Sequence, residues 1–263
     1  MGQKSNLLTL RKSRVNANLL TTNPKEFVLG LKFLTNLNQL FSKKKVILAK
    51  KDLNFESNKL ALNLSLFFRT SKLIGYQKIK KSFKTTNNDF DASFLQPLVK
   101  NHFSILKNNN IQLSVVNLNH MVKTSEMVSF FNKLRRFSTT LFARRFNLFL
   151  DFLKFSCLFE GKKVDSKIFL GLIGEIFRVL PKRKHNIFII FLKTAFSILV
   201  KRGKVRGLRL LINGRLKGKP RSNSMSILVG SAPVQSLSKD IEFSKLHVYT
   251  LNGAFGFKFW VYR

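Results

Sequence analysis

From Gly207 onward the chain alternates short apolar runs with glycine- and lysine-rich links: GLRLLINGRLKGKP, then PVQSLSKDIEF from Pro233, then LNGAFGFKFWVY from Leu251. Runs of this length and composition, bounded by turn-forming residues, predict β-strands. Side chains alternate across a strand, so Phe257, Phe259 and Val261 fall on one face and Lys258, Trp260 and Tyr262 on the other. Trp260, inside a continuous strand, reads as a packing residue rather than a base-stacking one. Gly214 and Gly218 bracket Arg215, Leu216 and Lys217, a tight turn that sends both basic side chains outward. Gly253 and Gly256 predict a bend or bulge before the last strand. Upstream, Ile168–Leu180 reads as a helix ended by Pro181, and Asn186–Val200 as a buried helix with one charged position, Lys193. Two helices followed by three or four strands make an α/β sandwich whose helices cover one face of the sheet.

The charge balance constrains the partner. Lys and Arg number 48 against 12 Asp and Glu, a formal net charge of +36. A compact chain with that excess repels itself unless a polyanion neutralises it. It is not a disordered basic tail, because 44% of residues are hydrophobic and 28 are Phe, arranged in periodic runs. Nucleic acid is the expected partner; an anionic membrane is the alternative, with the Phe-rich stretches 130–159 and 186–200 as amphipathic anchors. Lys201, Arg202, Lys204, Arg206 and Arg209 form a dense positive corner beside the strand Leu208–Ile212. They also complement the C-terminal end of the preceding helix dipole.

The N-terminal half carries a second α/β pattern. Residues 1–23 form a basic arm that orders on a partner. Phe27, Leu31, Leu34 and Leu37 share a helical face, with Asn23 as N-cap and Pro24 in the first turn. Leu60, Leu62, Leu64 and Leu66 alternate with Ala61, Asn63, Ser65 and Phe67, and Glu56–Ser57–Asn58 predicts a hairpin with the preceding run VILAKKDLNFE. A helix over 93–106 and a strand over Ile111–Leu118 complete the outline helix, two strands, helix, strand. The KH domain is one example of it. Residues 121–165, rich in Phe and Arg, are expected to be helical, with no turn residues from Glu126 to Phe159.

Catalytic and metal chemistry find little support. Cys157 is the only cysteine, set among Phe155, Leu158 and Phe159 as a buried thiol, so neither a disulfide nor a cysteine zinc site forms within the chain. His102, His120, His185 and His247 are scattered. Asp240 and Glu242 alternate on a strand, a weak metal pair at most, and a charge-balancing face is the plainer reading. No cofactor and no enzymatic activity are expected. The opening residues hold no apolar secretory segment, and Asn186–Val200 falls short of the ~20 residues of a spanning helix. Abundant Phe, Lys, Asn, Ile and Leu, types with A/T-rich codons, point to an AT-rich genome such as that of a mitochondrion.

The ordered motifs of the last sixty or so residues resemble the C-terminal domain of the ribosomal protein S-three family. The family's S-G-R-L-G-G is here Asn213–Gly214–Arg215–Leu216–Lys217–Gly218. P-L-x-T-L-x-x-D-I-x-Y runs from Pro233 through Asp240, Ile241 and Phe243, and T-x-x-G-x-x-G-V-K-V-W-I falls on Thr250, Gly253, Gly256, Lys258, Trp260 and Val261. The opening MGQK also matches. The resemblance implies an α+β, two-domain protein. Its parts would be an arm over 1–23, a KH-like α/β sandwich over 24–120, a helical insert over 121–165 and the C-terminal sandwich over 166–263.

It further implies a structural role in the head of the small ribosomal subunit of a mitochondrion. The protein would contact rRNA, proteins of the S-ten and S-fourteen families, incoming mRNA, and organelle-specific ribosomal proteins through the insert. The KH GxxG clamp is degenerate, reading Gly75–Tyr76–Gln77–Lys78, so a charge contact replaces it or it is lost. Ile189 and Ile190 stand where the family has an arginine pair at the mRNA entrance, and Lys193 is kept; Lys182, Arg183 and Lys184 are the expected substitutes. The expected rRNA contacts are Lys4, Arg11 and Arg14 in the arm and Arg206, Arg209, Arg215, Lys217, Lys219 and Arg221 beside the C-terminal strands.

Overall fold

The hairpin that the leucine alternation predicts is present in the computed structural model. Strand β1 (Val46–Glu56) pairs antiparallel with β2 (Lys59–Phe68), Glu56 standing opposite Lys59. Strand β3 (Asn110–Asn117) runs parallel to β2, giving the order β1-β2-β3. Leu64 and Leu66 are buried while Asn63 is exposed, which is the period-two pattern; Phe67 and Phe68 are both buried where the strand ends. A 3₁₀ turn at Leu118–Met121 follows, tied back by Asn119 Nδ2 donating to the Phe68 carbonyl at 3.0 Å.

The structure describes residues 46–56, 59–69, 110–143, 145–216, 222–234, 241–251 and 253–263, with single positions at 32, 36, 37, 39, 41, 236 and 239. Leu37 and Phe41 are helical and buried. The expected arm 1–23, the cap at Asn23–Pro24, the helix over 93–106 and the Gly75–Lys78 loop lie outside the described residues. Those before Val122 belong to one compact unit and Val122–Arg263 to another.

The second unit begins with helices α1 (Thr124–Thr140) and α2 (Phe146–Glu160). The sequence predicts helices here, with the next clear break at Gly161–Lys163; two helices form, and the first ends after Thr140. Ser138, Thr139 and Thr140 each turn a hydroxyl onto a carbonyl of the preceding turn, at Arg135 or Arg136. The same bonds occur at Ser129, Thr194 and Ser197 inside unbroken helices, so they accompany the break and do not by themselves make it. Phe142, in the break, packs its ring 5.3 Å from Phe149 and 5.4 Å from Phe191. Helix α2 is buried at every position from Phe149 to Glu160, as a helix apolar on nearly all sides must be.

Helix α3 (Ser166–Val179) stops where Leu180, preceding Pro181, turns extended (φ −76°, ψ 139°). Helix α4 (His185–Lys201) follows a 3₁₀ turn of Lys182–Lys184.

Four strands complete the unit: β4 (Gly207–Gly214), β5 (Asn223–Gly230), β6 (Ile241–Thr250) and β7 (Gly253–Tyr262), all antiparallel, in the order β5-β4-β7-β6. Helix α3 packs on β6 and β7, α4 on β4 and β5; α1 packs on α2 and α4, and α2 on α3. Leu208, Leu210 and Ile212 of β4 and Phe257, Phe259 and Val261 of β7 are buried beneath the helices. Residues 124–160 thus extend the core of this sandwich. Of the bend or bulge expected at Gly253–Gly256, the bend is what forms: Gly253 serves the turn before the last strand, at φ 118°, while β6 and β7 pair without a bulge from Ile241↔Tyr262 to Thr250↔Gly253.

Candidate nucleic-acid interface

The end of β4 is fixed before any side chain acts. The Arg206 amide donates to the Tyr262 carbonyl at 2.9 Å, and the Arg206 carbonyl accepts from the Ser231 amide at 3.2 Å. This corner closes because residue 207 is glycine: a Cβ there would stand 1.9 Å from the Ser231 carbonyl oxygen. With its backbone so held, Arg206 lays its guanidinium 5.7 Å from the Tyr262 ring centre and donates to the phenol oxygen at 3.2 Å. That bond lowers the Tyr262 pKa below the ordinary tyrosine value. Arg209 stands opposite Trp260 in register and covers its ring at 5.4 Å.

Tyr262 and Trp260 are two apart on β7, so the two arginine–aromatic pairs lie side by side on the sheet face away from the helices. Beneath them Trp260, Tyr262 and Ile241 form a small cluster with Leu211, Val234 and Phe243. Trp260 is therefore the packing residue that its strand position predicts. A guanidinium lying against a ring keeps N–H groups at its edge for phosphate oxygens. Arg215, exposed, follows β4 directly.

The other cations of the corner are differently employed. Arg202 donates to Glu160 Oε2 at 2.9 Å, to the Glu126 carbonyl at 2.9 Å and to Ser129 Oγ at 2.7 Å, with its guanidinium 4.8 Å over Phe130. Lys204 Nζ lies 3.8 Å from the same Glu160. Burial of α2 creates this demand: the Glu160 side chain is only 4% exposed and requires a cation. Of the turn before α4, Lys182 and Arg183 are exposed, whereas Lys184 donates to the Thr140 carbonyl at 2.7 Å and closes the C-terminal end of α1. Lys193 is exposed; Ile189 is buried and Ile190 exposed beside it on α4.

Lys4, Arg11, Arg14, Lys217, Lys219 and Arg221 lie outside the described residues. The structure also displays basic side chains that the sequence reading did not single out as contacts: Lys245 and Lys258 stand directly opposite each other on the open sheet face, and both are exposed. Their alternation with buried Val248, Phe257 and Phe259 is the signal that could have found them. Among the described residues no three metal-ligating side chains come together. Glu242 is held by Arg263 at 3.1 Å, and Asp240 is outside the described residues.

No family model matches the chain. It is 36% identical over 71 residues to small ribosomal subunit protein uS3 of Phytoplasma mali, covering 27% of this chain and 29% of that one. It is 37% identical over 62 residues to uS3c of Chlorella vulgaris (24% and 27%) and 31% identical over 80 residues to uS3 of Fervidobacterium nodosum (30% and 38%). The matches span well under half the length of these curated relatives. They support, at the level of the family, the resemblance carried by the C-terminal motifs.

Proposed function

We propose that this protein is a structural constituent of the small ribosomal subunit that binds rRNA in the subunit head, in a mitochondrion. One observation carries the reading: the strand runs that resemble the S-three family form a single antiparallel sheet, and that sheet presents Arg206 and Arg209 on its open face in a chain of net charge +36. The mechanism is electrostatic and architectural. Lysines and arginines neutralise rRNA phosphates while the sandwich fixes their spacing.

In this reading residues 24–120 are a KH-like domain with a degenerate clamp and 1–23 an rRNA-binding arm; 166–263 contact rRNA and the S-ten and S-fourteen proteins. Residues 121–165 meet organelle-specific neighbours, and Lys182, Arg183 and Lys193 flank incoming mRNA. Sedimentation of native particles through a sucrose gradient with magnesium tests it. Co-migration with the small subunit after a moderate salt wash is expected; recovery with free protein or with membranes would overturn the assignment.

Membrane anchoring by the Phe-rich helices has less in its favour. Phe130, Phe149, Phe152, Phe155, Phe159, Phe188, Phe191 and Phe196 are each 0% exposed, so the side chains that would enter lipid are in the core. No helix among the described residues is long and apolar enough to cross a membrane.

A further inference from the structure

Bordering the Trp260 cluster at Leu211, the rest of the C-terminal sheet has an open face with an unusual composition. Strand register sets its rows: Leu211, Lys258 and Lys245 lie in one line, Asn213, Gly256 and His247 in the next, and Tyr249 stands beyond. Lys245 and Lys258 face each other directly, an arrangement that costs stability across an antiparallel pair. The acid nearest in sequence, Glu242, belongs to the opposite face and is engaged by Arg263. Among the described strand residues no acid points to the open face. A like-charged pair without a neighbouring carboxylate is a site for an anion supplied from outside.

Two further features select the anion. Gly256 is paired in regular register, and nothing lies within 4 Å of where its Cβ would be. A glycine in mid-strand weakens the strand, and neither a bulge nor a close neighbour requires one here. What it does is leave a notch in the sheet surface. At the rim are His247, exposed, and Tyr249, whose side chain is 73% exposed. Exposed rings beside a notch, with paired cations next to them, match an unstacked base and its flanking phosphates.

We propose that this face binds a single-stranded segment of RNA: one base enters the notch over Gly256 against Tyr249 and His247, while Lys245, Lys258 and Arg209 contact the adjoining phosphates. The assignment rests on the ribosomal reading and goes beyond it in naming the surface and the form of the RNA.

The test is fluorescence anisotropy of the full-length protein with a labelled single-stranded RNA of about a dozen mixed nucleotides, with the same RNA as a duplex, and with labelled oligoglutamate. Gly256→Val fills the notch with a residue that strands favour, so its thermal midpoint should equal or exceed that of the parent. Gly256→Val and Tyr249→Ala should each weaken single-strand binding by about tenfold and duplex binding by less than about twofold. Lys245→Gln with Lys258→Gln should weaken both and flatten the logarithmic salt dependence on the single strand by about 1.4.

Parental affinity in Gly256→Val and Tyr249→Ala would overturn the assignment to this face while leaving the ribosomal reading standing. An equal loss on oligoglutamate would overturn it in favour of an acidic protein. A parent protein that binds neither RNA would overturn the ribosomal reading itself.

Discussion

Arg202, one residue past the end of α4, holds Glu160, the last residue of α2, at 2.9 Å, although 42 residues separate them. The carboxylate is almost fully enclosed and the guanidinium is 19% exposed. Removing one member strands the other, which typically costs about 3–5 kcal/mol. Arg202→Ala should lower the urea midpoint accordingly, with Lys204 too distant and too exposed to compensate. Arg202→Met combined with Glu160→Leu should recover most of the loss, because no charge is then left buried.

Cys157 lies on the same helix, 7% exposed. Burial pushes its thiol up to about 11, against a smaller opposing pull from Arg202. At about pH 8 only roughly one thiol in a thousand is then thiolate, the reactive form. Iodoacetamide should leave the native protein unmodified by mass spectrometry and alkylate it readily in urea. Rapid native labelling would contradict the packing of α2.

His185 opens α4, 1% exposed, stacked on Phe177 at 4.0 Å with Nε2 3.2 Å from the Leu180 carbonyl. Burial lowers its pKa below 6.5. The unfolded chain therefore takes up this proton first as pH falls. The contribution of the neutral ring is complete above about 6.5 and declines below it, at up to roughly 1.4 kcal/mol per pH unit, until the folded pKa is reached. Denaturation midpoints at about pH 7.5 and pH 5.5 should differ, and His185→Phe should remove most of the difference.

Gly207 and Gly230 meet at the end of the β4–β5 pair. A Cβ on Gly207 would stand 1.9 Å from a backbone oxygen, which no rotamer change relieves. Gly207→Ala should cost more than about 2 kcal/mol and release the Arg206 backbone. Gly256→Val, in the same sheet, should cost nothing; calorimetry of the two variants separates a glycine that the fold requires from one that leaves a surface open.

The elements were legible wherever a residue's fate depends on its immediate neighbours. Alternation at Leu208, Leu210 and Ile212 and at Phe257, Phe259 and Val261 marks strands with one face buried, and Pro181 marks the end of α3. The break after Thr140 was not legible, because the ring that fills it, Phe142, packs on Phe149 of α2 and on Phe191 of the distant α4. Nor was it apparent that Arg202 would be withdrawn from the positive corner, since the carboxylate that claims it belongs to a distant helix.

The basic surface divides along the same line. Its existence follows from the count of charges alone, since 48 cations cannot be hidden in a core. Which of them face a partner is a matter of pairing. Lys245 meets Lys258, and His247 meets Gly256, because β6 and β7 pair in a register that ends with Thr250 opposite Gly253. A slip of one residue would carry every side chain of a strand to the other face. Local pattern therefore dictates strands and net charge, whereas the register between strands, a relation no single segment contains, decides where the cations, the rings and the notch come together.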